Sequence, residues 1–312
     1  MDALTRILDL ANVQGALDVR CYLAGGFSVE HDASFDGEAP FHLVLAGTAF
    51  MDLPGLPTVT MSPGDLIVLP RGTPHRVHDG GPRSAAVPVQ VDRDAALHIK
   101  RNTLGPADLD LLCGRFTFAP DAARLVFDAL PAVLHVKVSE AHGSAALDAV
   151  VAMFRDEVNR LEPGALAVVT SLTRALLVFA LRACMRDGQL PPSLLSLMAE
   201  PRLGRAVLAM LREPEREWTV ELLAREAAMS RATFARHFEA RGNVAPHEVL
   251  TLLRMHLAGD LLRRGDLTAG AVADRVGYRS ESAFGKAFVR TMGVTPARYR
   301  RDHLHAPPPE AT

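Results

Sequence analysis

The feature that most constrains this 312-residue chain is an internal repeat near its C-terminal end. Residues 223–238, LAREAAMSRATFARHF, align with residues 272–288, VADRVGYRSESAFGKAF, once Arg279 is read as one extra residue in the turn of the second copy. Ala224 then corresponds to Ala273, Ala227 to Val276, Ser230 to Ser280, Phe234 to Phe284, Arg236 to Lys286 and Phe238 to Phe288. Each copy reads as helix, tight turn, helix. The serine opens the second helix as its N-cap, because a hydroxyl there accepts orphan backbone N–H bonds of the first turn. The two phenylalanines, four residues apart, fall on one face and pin the helix to a core, leaving the opposite face to solvent. A repeat that served only to pack a bundle has no reason to place a capped, polar-faced helix twice in register.

Both copies then step to a proline, FEARGNVAP ending at Pro246 and FVRTMGVTP ending at Pro296. Gly293 is placed for a left-handed position after the helix, and Asn243, the usual substitute for glycine, stands there in the first copy. Residues 246–264 between the units form a long amphipathic pattern, suited to holding them rigidly apart. Through Tyr299 and Arg300, this arrangement resembles the AraC/XylS family of transcription regulators.

The resemblance implies that two recognition helices enter successive major-groove segments on one face of duplex DNA, about 34 Å apart. Carried over by position, the DNA-facing residues are Arg231, Ala232, Ala235 and Arg236 in one helix, and Glu281, Ser282, Gly285 and Lys286 in the other. Arg236 is the expected base reader, since a guanidinium fork bonds guanine O6 and N7 together. A phosphate contact is its alternative, and phosphate is the expected partner of Ser230, Arg279 and Ser280. Ala235 and Gly285 are small where a base-reading side chain could sit, so less direct readout is expected from the second unit. The resemblance also implies an activator of transcription, with RNA polymerase as a protein partner.

Charge agrees with this division. Residues 1–200 carry 16 basic and 23 acidic side chains, a net of −7, whereas residues 201–304 carry 18 and 12, a net of +6. Only the C-terminal third suits a polyanion. No N-terminal stretch has the form of a secretory leader, and the most apolar stretch, residues 165–185, is interrupted by Arg174 and Arg182. The expectation is a cytoplasmic protein with no membrane span. Three scattered cysteines, Cys21, Cys113 and Cys184, predict reduced thiols rather than a disulfide framework.

Upstream, residues 20–118 form short apolar runs broken by Gly, Pro and Asp, the pattern of several short strands. From Ser144 the spacing becomes helical, with Leu147, Val150, Val151, Phe154, Val158 and Leu161 on one stripe. A second helix over about residues 165–187 is so apolar that a dimer interface is one candidate for covering it; burial against its own barrel is the other. The readings combine into a multidomain α+β chain. Residues 1–140 form a cupin-like β-barrel sensor, residues 141–200 a helical linker and candidate dimerisation region, and residues 201–304 an all-α domain with two helix-turn-helix units. Residues 305–312, HAPPPEAT, read as a disordered tail.

The barrel assignment rests on SPGDLIVLPRGTPHRVHD, residues 62–79, which resembles the second cupin motif with His75 in the place of its metal-ligand histidine. The first cupin motif is poorly kept: before Gly47 the chain offers EAPFHLVLAG with one histidine, His42, in a different place. A three-histidine, one-glutamate enzyme site therefore cannot be assembled by carry-over, which argues against the cupin oxygenases and isomerases. His42, His75, His78 and Cys113 could still converge at the barrel mouth as ligands suited to zinc or copper. Alternatively each histidine is a hydrogen-bonded structural residue, and a small organic ligand in the barrel needs no metal. The resemblance extends over the whole chain to AraC-type regulators that answer reactive chlorine or other oxidants, which implies a sensor using Cys21 and Cys113. The residues alone leave buried structural thiols as the alternative.

Overall fold

The computed structural model describes residues 2–81, 87–92, 97–102, 106–137, 144–160, 162–186, 188 and 190–304. The tail expected to be disordered lies outside them. The chain divides into two units, one formed by Met1–Ala11, Arg124–Ala129 and Leu190–Thr312, the other by Asn12–Ala123 and Leu130–Gln189.

The second unit is the barrel. Its strands are β1 (Gln14–Leu23), β2 (Ser28–His31), β3 (Glu38–Ala46), β4 (Ala49–Asp52), β5 (Val59–Met61), β6 (Asp65–Val68), β7 (His75–His78), β8 (Gln90–Asp92), β9 (His98–Arg101), β10 (Leu109–Thr117) and β11 (Leu134–Lys137). They form a seven-stranded sheet in the order β11-β6-β3-β10-β1-β9-β8 and a four-stranded sheet in the order β2-β7-β4-β5. Side chains alternate along each strand. Val19, Cys21 and Leu23 of β1 thus share one apolar core with Leu109, Leu111 and Cys113 of β10, Ile67 of β6, Met51 of β4 and Val77 of β7.

The large sheet is buried on its other face as well, which is why β3 and β10 read as near-continuous apolar runs. That face carries Arg20, Phe41, Leu43, Leu112 and Phe116, all buried. Two helices lie against it, α2 (Ser144–Arg160) and α3 (Ala165–Arg186). Arg155 of α2 donates to the Leu45 carbonyl at 2.7 Å. Gly15 of β1 sits so close to α3 that a Cβ there would lie 2.4 Å from Thr173 Cγ2. Of the expected α2 stripe, Val150, Val151, Phe154 and Val158 are buried; Leu161 lies outside the described residues. By length and composition α3 could cross a membrane, yet it packs here with Thr173, Leu176, Leu177, Ala180 and Leu181 buried.

The first unit is helical: α1 (Ala3–Leu10), α4 (Leu194–Ala199), α5 (Pro201–Arg212), α6 (Val220–Glu226), α7 (Arg231–Gly242), α8 (Pro246–Arg264), α9 (Ala269–Arg275), α10 (Glu281–Met292) and α11 (Pro296–Leu304). Although the whole barrel separates α1 from these helices in sequence, it packs on α5 and α8, with Ile7, Leu8 and Leu10 buried. The central helix is α8, which touches α7, α9, α10 and α11. Gly259 lets α11 close on it, since a Cβ would come 3.1 Å from Tyr299 Oη, and Arg263 Nη1 donates to that oxygen at 2.8 Å.

Candidate DNA-binding face and sensor core

The duplicated unit folds the same way twice. Thr219 caps α6 by accepting from Leu222 N at 3.2 Å, and Thr268 caps α9 by accepting from Ala271 N at 3.2 Å. The turn then reverses through one left-handed residue, Ala228 at φ 52° in the first copy and Gly277 at φ 79° in the second. Each turn is closed by matching backbone bonds, Met229 N to Ala224 O and Tyr278 N to Ala273 O, both 2.9 Å. Ser230 caps α7, accepting from Thr233 N at 3.3 Å; Ser280 caps α10, accepting from Ala283 N at 3.4 Å. Asn243 and Gly293 end the two helices in the left-handed conformation. The four repeat phenylalanines are fully buried.

On the opposite faces, Ser230, Arg231, Ala232 and Arg236 of the first copy and Arg279, Ser280, Glu281, Ser282 and Lys286 of the second are exposed, with Ala235 and Gly285 half-exposed. A Cβ at Gly285 would meet nothing within 4 Å. Arg231 pairs with Glu221 at 2.9 Å, and Arg279 pairs with Glu217. Arg236 and Lys286, equivalent in the repeat, have no ion pair among the described residues.

Inside the barrel, a second group of polar side chains comes together. His42 on β3 stands opposite Cys113 on β10, and His31 on β2 stands opposite His75 on β7. The two sheets face each other and bring these pairs into contact. His42 Nε2 lies 2.8 Å from His75 Nε2, His42 Nδ1 lies 3.1 Å from Cys113 Sγ, and the rings of His31 and His75 stack at 4.6 Å.

Burial lowers the pKa of all three histidines, that of His31 to about 3 and that of His42 well below the usual value, so the rings are neutral near pH 7. Neutrality fixes the protons. His75 Nδ1–H donates to the Thr73 carbonyl at 2.9 Å, which leaves a lone pair on its Nε2. His42 Nε2–H donates to that lone pair, and His42 Nδ1 accepts from the S–H of Cys113.

Cys21 Sγ is 3.9 Å from Cys113 Sγ. When Cys21 ionises, the Cys113 S–H can turn to it; that bond draws the Cys21 pKa down and is the main cause pushing the Cys113 pKa well up, burial being second. Cys184 is half-exposed on α3. His78, grouped with His42, His75 and Cys113 in the sequence, does not join them. Three residues from His75 on one strand, it faces the other way, 3.2 Å from Asp52 Oδ2, and its Nδ1 accepts from Gly80 N at 3.0 Å. Cys113 hydrogen-bonds to His42, and the three side chains that gather are His42, His75 and His31, the last of which sequence reasoning passed over.

A capped helix pair repeated twice, in a chain that also carries a barrel with a buried polar core, is the architecture of a DNA-binding regulator. The chain matches the cupin family over residues 2–186 and a helix-turn-helix domain over residues 223–302. It is 31% identical over 306 residues to the HTH-type transcriptional regulator MtrA of Neisseria gonorrhoeae, covering 97% of this chain and 99% of that one. It is also 31% identical over 301 residues to the RCS-specific HTH-type transcriptional activator RclR of Escherichia coli K12, covering 96% and 97%. Among solved structures it is similar to the DNA-binding domain of AdpA in complex with a target DNA, 37% identical with a TM-score of 0.30, covering 31% of this chain and 88% of that one. The chain belongs to the AraC-type transcriptional regulators with an N-terminal cupin domain. Its partner is double-stranded DNA.

Proposed function

We propose that this regulator is an activator in which α7 and α10 read duplex DNA and Cys21 with Cys113 forms an oxidant-responsive switch in the barrel. Arg236 is the principal base reader and Lys286 its weaker counterpart, a reading supported by their exposure and freedom from ion pairs. Arg231, Ala232, Ala235, Glu281 and Ser282 line the same faces, and Ser230, Arg279 and Ser280 contact phosphate. The name of RclR as an activator supports that role, with RNA polymerase as the partner that carries it out in the cytoplasm.

The observation that carries the switch is the 3.9 Å between the two sulfurs. Hypochlorous acid is a sufficient oxidant: the Cys21 thiolate takes chlorine and releases hydroxide, then the Cys113 thiol displaces chloride, so two thiols give one disulfide, water and hydrochloric acid. In the antiparallel register Cys113 faces Val19 and Cys21 faces Leu111, so the cysteines are diagonal neighbours. Bringing their sulfurs to about 2.05 Å draws β1 along β10. Exposed Met153 on α2 and Leu166 and Val168 on α3, at 49%, 47% and 43% of their surface, support a homodimer through these helices.

The test is a promoter reporter under hypochlorite, comparing wild type with Cys21→Ser, Cys113→Ser and Cys184→Ser. Loss of response in the first two with Cys184→Ser unchanged is expected. A wild-type response in both would overturn thiol sensing and make an organic ligand in the barrel the leading alternative.

A further inference from the structure

We infer that Arg254 is a positioning residue for DNA reading, an assignment that rests on α7 and α10 being the helices that read DNA. It locks the segment leading into the first helix pair against the turn of the second, so that both pairs meet the duplex at one fixed spacing and rotation.

Helix α8 alone does not fix that geometry. At about 1.5 Å per residue its 19 residues span about 28 Å, which sets a distance between the pairs. The second pair packs on α8 through both its helices, α9 and α10, and the first touches it through α7. Helix α6, which starts the first pair, packs on α5 and α7. Its placement therefore depends on residues 213–218, EPEREW, the segment that joins α5 to α6.

That segment folds on itself. Trp218 Nε1 donates to the Glu213 carbonyl at 2.9 Å, Arg216 pairs with Glu213 at 2.9 Å, and the Arg216 guanidinium lies 4.3 Å from the centre of the Trp218 ring. Its side chains are mostly exposed, so apolar burial does not seat it. Its carbonyls do. Arg254, midway along α8, donates from Nε to the Pro214 carbonyl at 2.7 Å and from Nη2 to the Arg216 carbonyl at 3.0 Å. A guanidinium suits this task because its fork presents several donors in one rigid plane.

The same guanidinium meets the turn of the second helix pair. Its carbon lies 5.8 Å from the centre of the Tyr278 ring, within cation–π range. A Cβ on Gly277 would come 2.7 Å from Arg254 Nη2 and 2.8 Å from the Cα and carbonyl oxygen of Glu215. The absent side chain of Gly277 thus makes room for both the segment and the arginine. Glu217 pairs with Arg279 of the same turn, but both are exposed, and such pairs contribute little alone. Arg254 therefore joins the lead-in of one pair to the turn of the other from a helix that belongs to neither.

Two half-sites on one duplex are bound through effective concentration: once one helix pair docks, the other meets its half-site more often the better its position is fixed. The test uses the full chain and the site that wild type selects from genomic fragments. Affinity is measured for the intact site, for the site with either half scrambled, and for the site with one or two base pairs inserted between halves. One inserted pair moves a half-site by about 3.4 Å and turns it by roughly 35°. Arg254→Met should weaken binding to the intact site by about 10–100-fold, part of the gain that linkage provides. Single-half affinity should stay unchanged, and the penalty for an insertion should shrink. Arg254→Lys, which keeps the charge without the fork, should recover only part of the loss. Thermal melting establishes that each variant is folded, and Arg254→Gln substitutes if the methionine variant is not. Unchanged affinity and insertion penalty in the folded variant would overturn the positioning role. So would an equal loss on single-half and intact sites, which general loosening of the fold produces. A wild type that selects only one half-site would remove the reading by two helices, and the positioning with it.

Discussion

Arg20 and Asp110 form a bidentate ion pair across β1 and β10, with Arg20 Nε 2.8 Å and Nη2 2.6 Å from the two carboxylate oxygens. The remaining arm of Arg20 donates to the Val158 carbonyl and to Asn159 Oδ1 at the C-terminal end of α2. Strand alternation puts Arg20 on the helix side of the sheet, while its neighbour Cys21 faces the barrel interior. A shift of β1 that brings Cys21 toward Cys113 therefore acts directly on the tie to α2. Arg20 is buried while Asp110 keeps 18% of its side chain exposed, so removing the arginine leaves a partly hydrated carboxylate uncompensated, at a cost toward the lower end of the range of about 3–5 kcal/mol for a fully buried pair. Arg20→Ala is expected to lower the unfolding free energy of the barrel by that amount in urea, and Arg20→Ala with Asp110→Ala should recover part of it. A loss below about 1 kcal/mol would mean that the pair behaves as a surface one.

The histidine core predicts a pH dependence for the metal-free protein. An unfolded histidine titrates near pH 6.5, whereas burial lowers the folded pKa of His31 to about 3 and lowers those of His42 and His75 as well. Below pH 6.5 the unfolded chain binds more protons than the folded one, so stability falls as pH falls. The slope reaches at most about 1.4 kcal/mol per pH unit for each histidine. Between pH 6.5 and 5, above the ordinary carboxylate range, urea midpoints should decline, and His31→Gln should make the decline shallower. A flat profile in that window would contradict the neutral cluster.

The two turns make opposite predictions at equivalent positions. Ala228 holds φ 52°, a conformation that costs an L-residue about 1–2 kcal/mol, so Ala228→Gly should stabilise by about 0.5–1 kcal/mol after the entropic cost of glycine. Gly277→Ala should destabilise by more than about 1 kcal/mol, because its Cβ would also meet the Glu215 backbone at 2.8 Å. Thermal melts of both variants check this. Destabilisation by Ala228→Gly would contradict the turn geometry.

What was legible in the sequence was local. The caps Ser230 and Ser280, the left-handed exits Asn243 and Gly293, and the buried phenylalanines each follow from residues within one turn of each other. What was not legible depended on pairing across distance. The burial of His31 beside His75 requires the β2–β7 register, which a four-residue strand with partly exposed flanks does not announce. Pro74 and the turn left the direction of His78 open in the sequence, and its odd spacing from His75 on β7 sets it on the opposite face. The apolar side of residues 3–10 says that a core covers it, but not which one, and the helix joins the unit at the far end of the chain.

The central claim is that two equivalent helices read DNA, with Arg236 making the principal base contact. Its most direct test is selection of genomic fragments by the full chain, followed by sequencing, for wild type and Arg236→Ala at two salt concentrations. Wild type should enrich a defined site and lose affinity steeply with salt, as counterions are released from the phosphates. Arg236→Ala should relax preference at one guanine position, at a cost of about 1–3 kcal/mol for that site. Enrichment of no sequence by the folded wild type, or uniform weakening at every site by Arg236→Ala, would contradict this account.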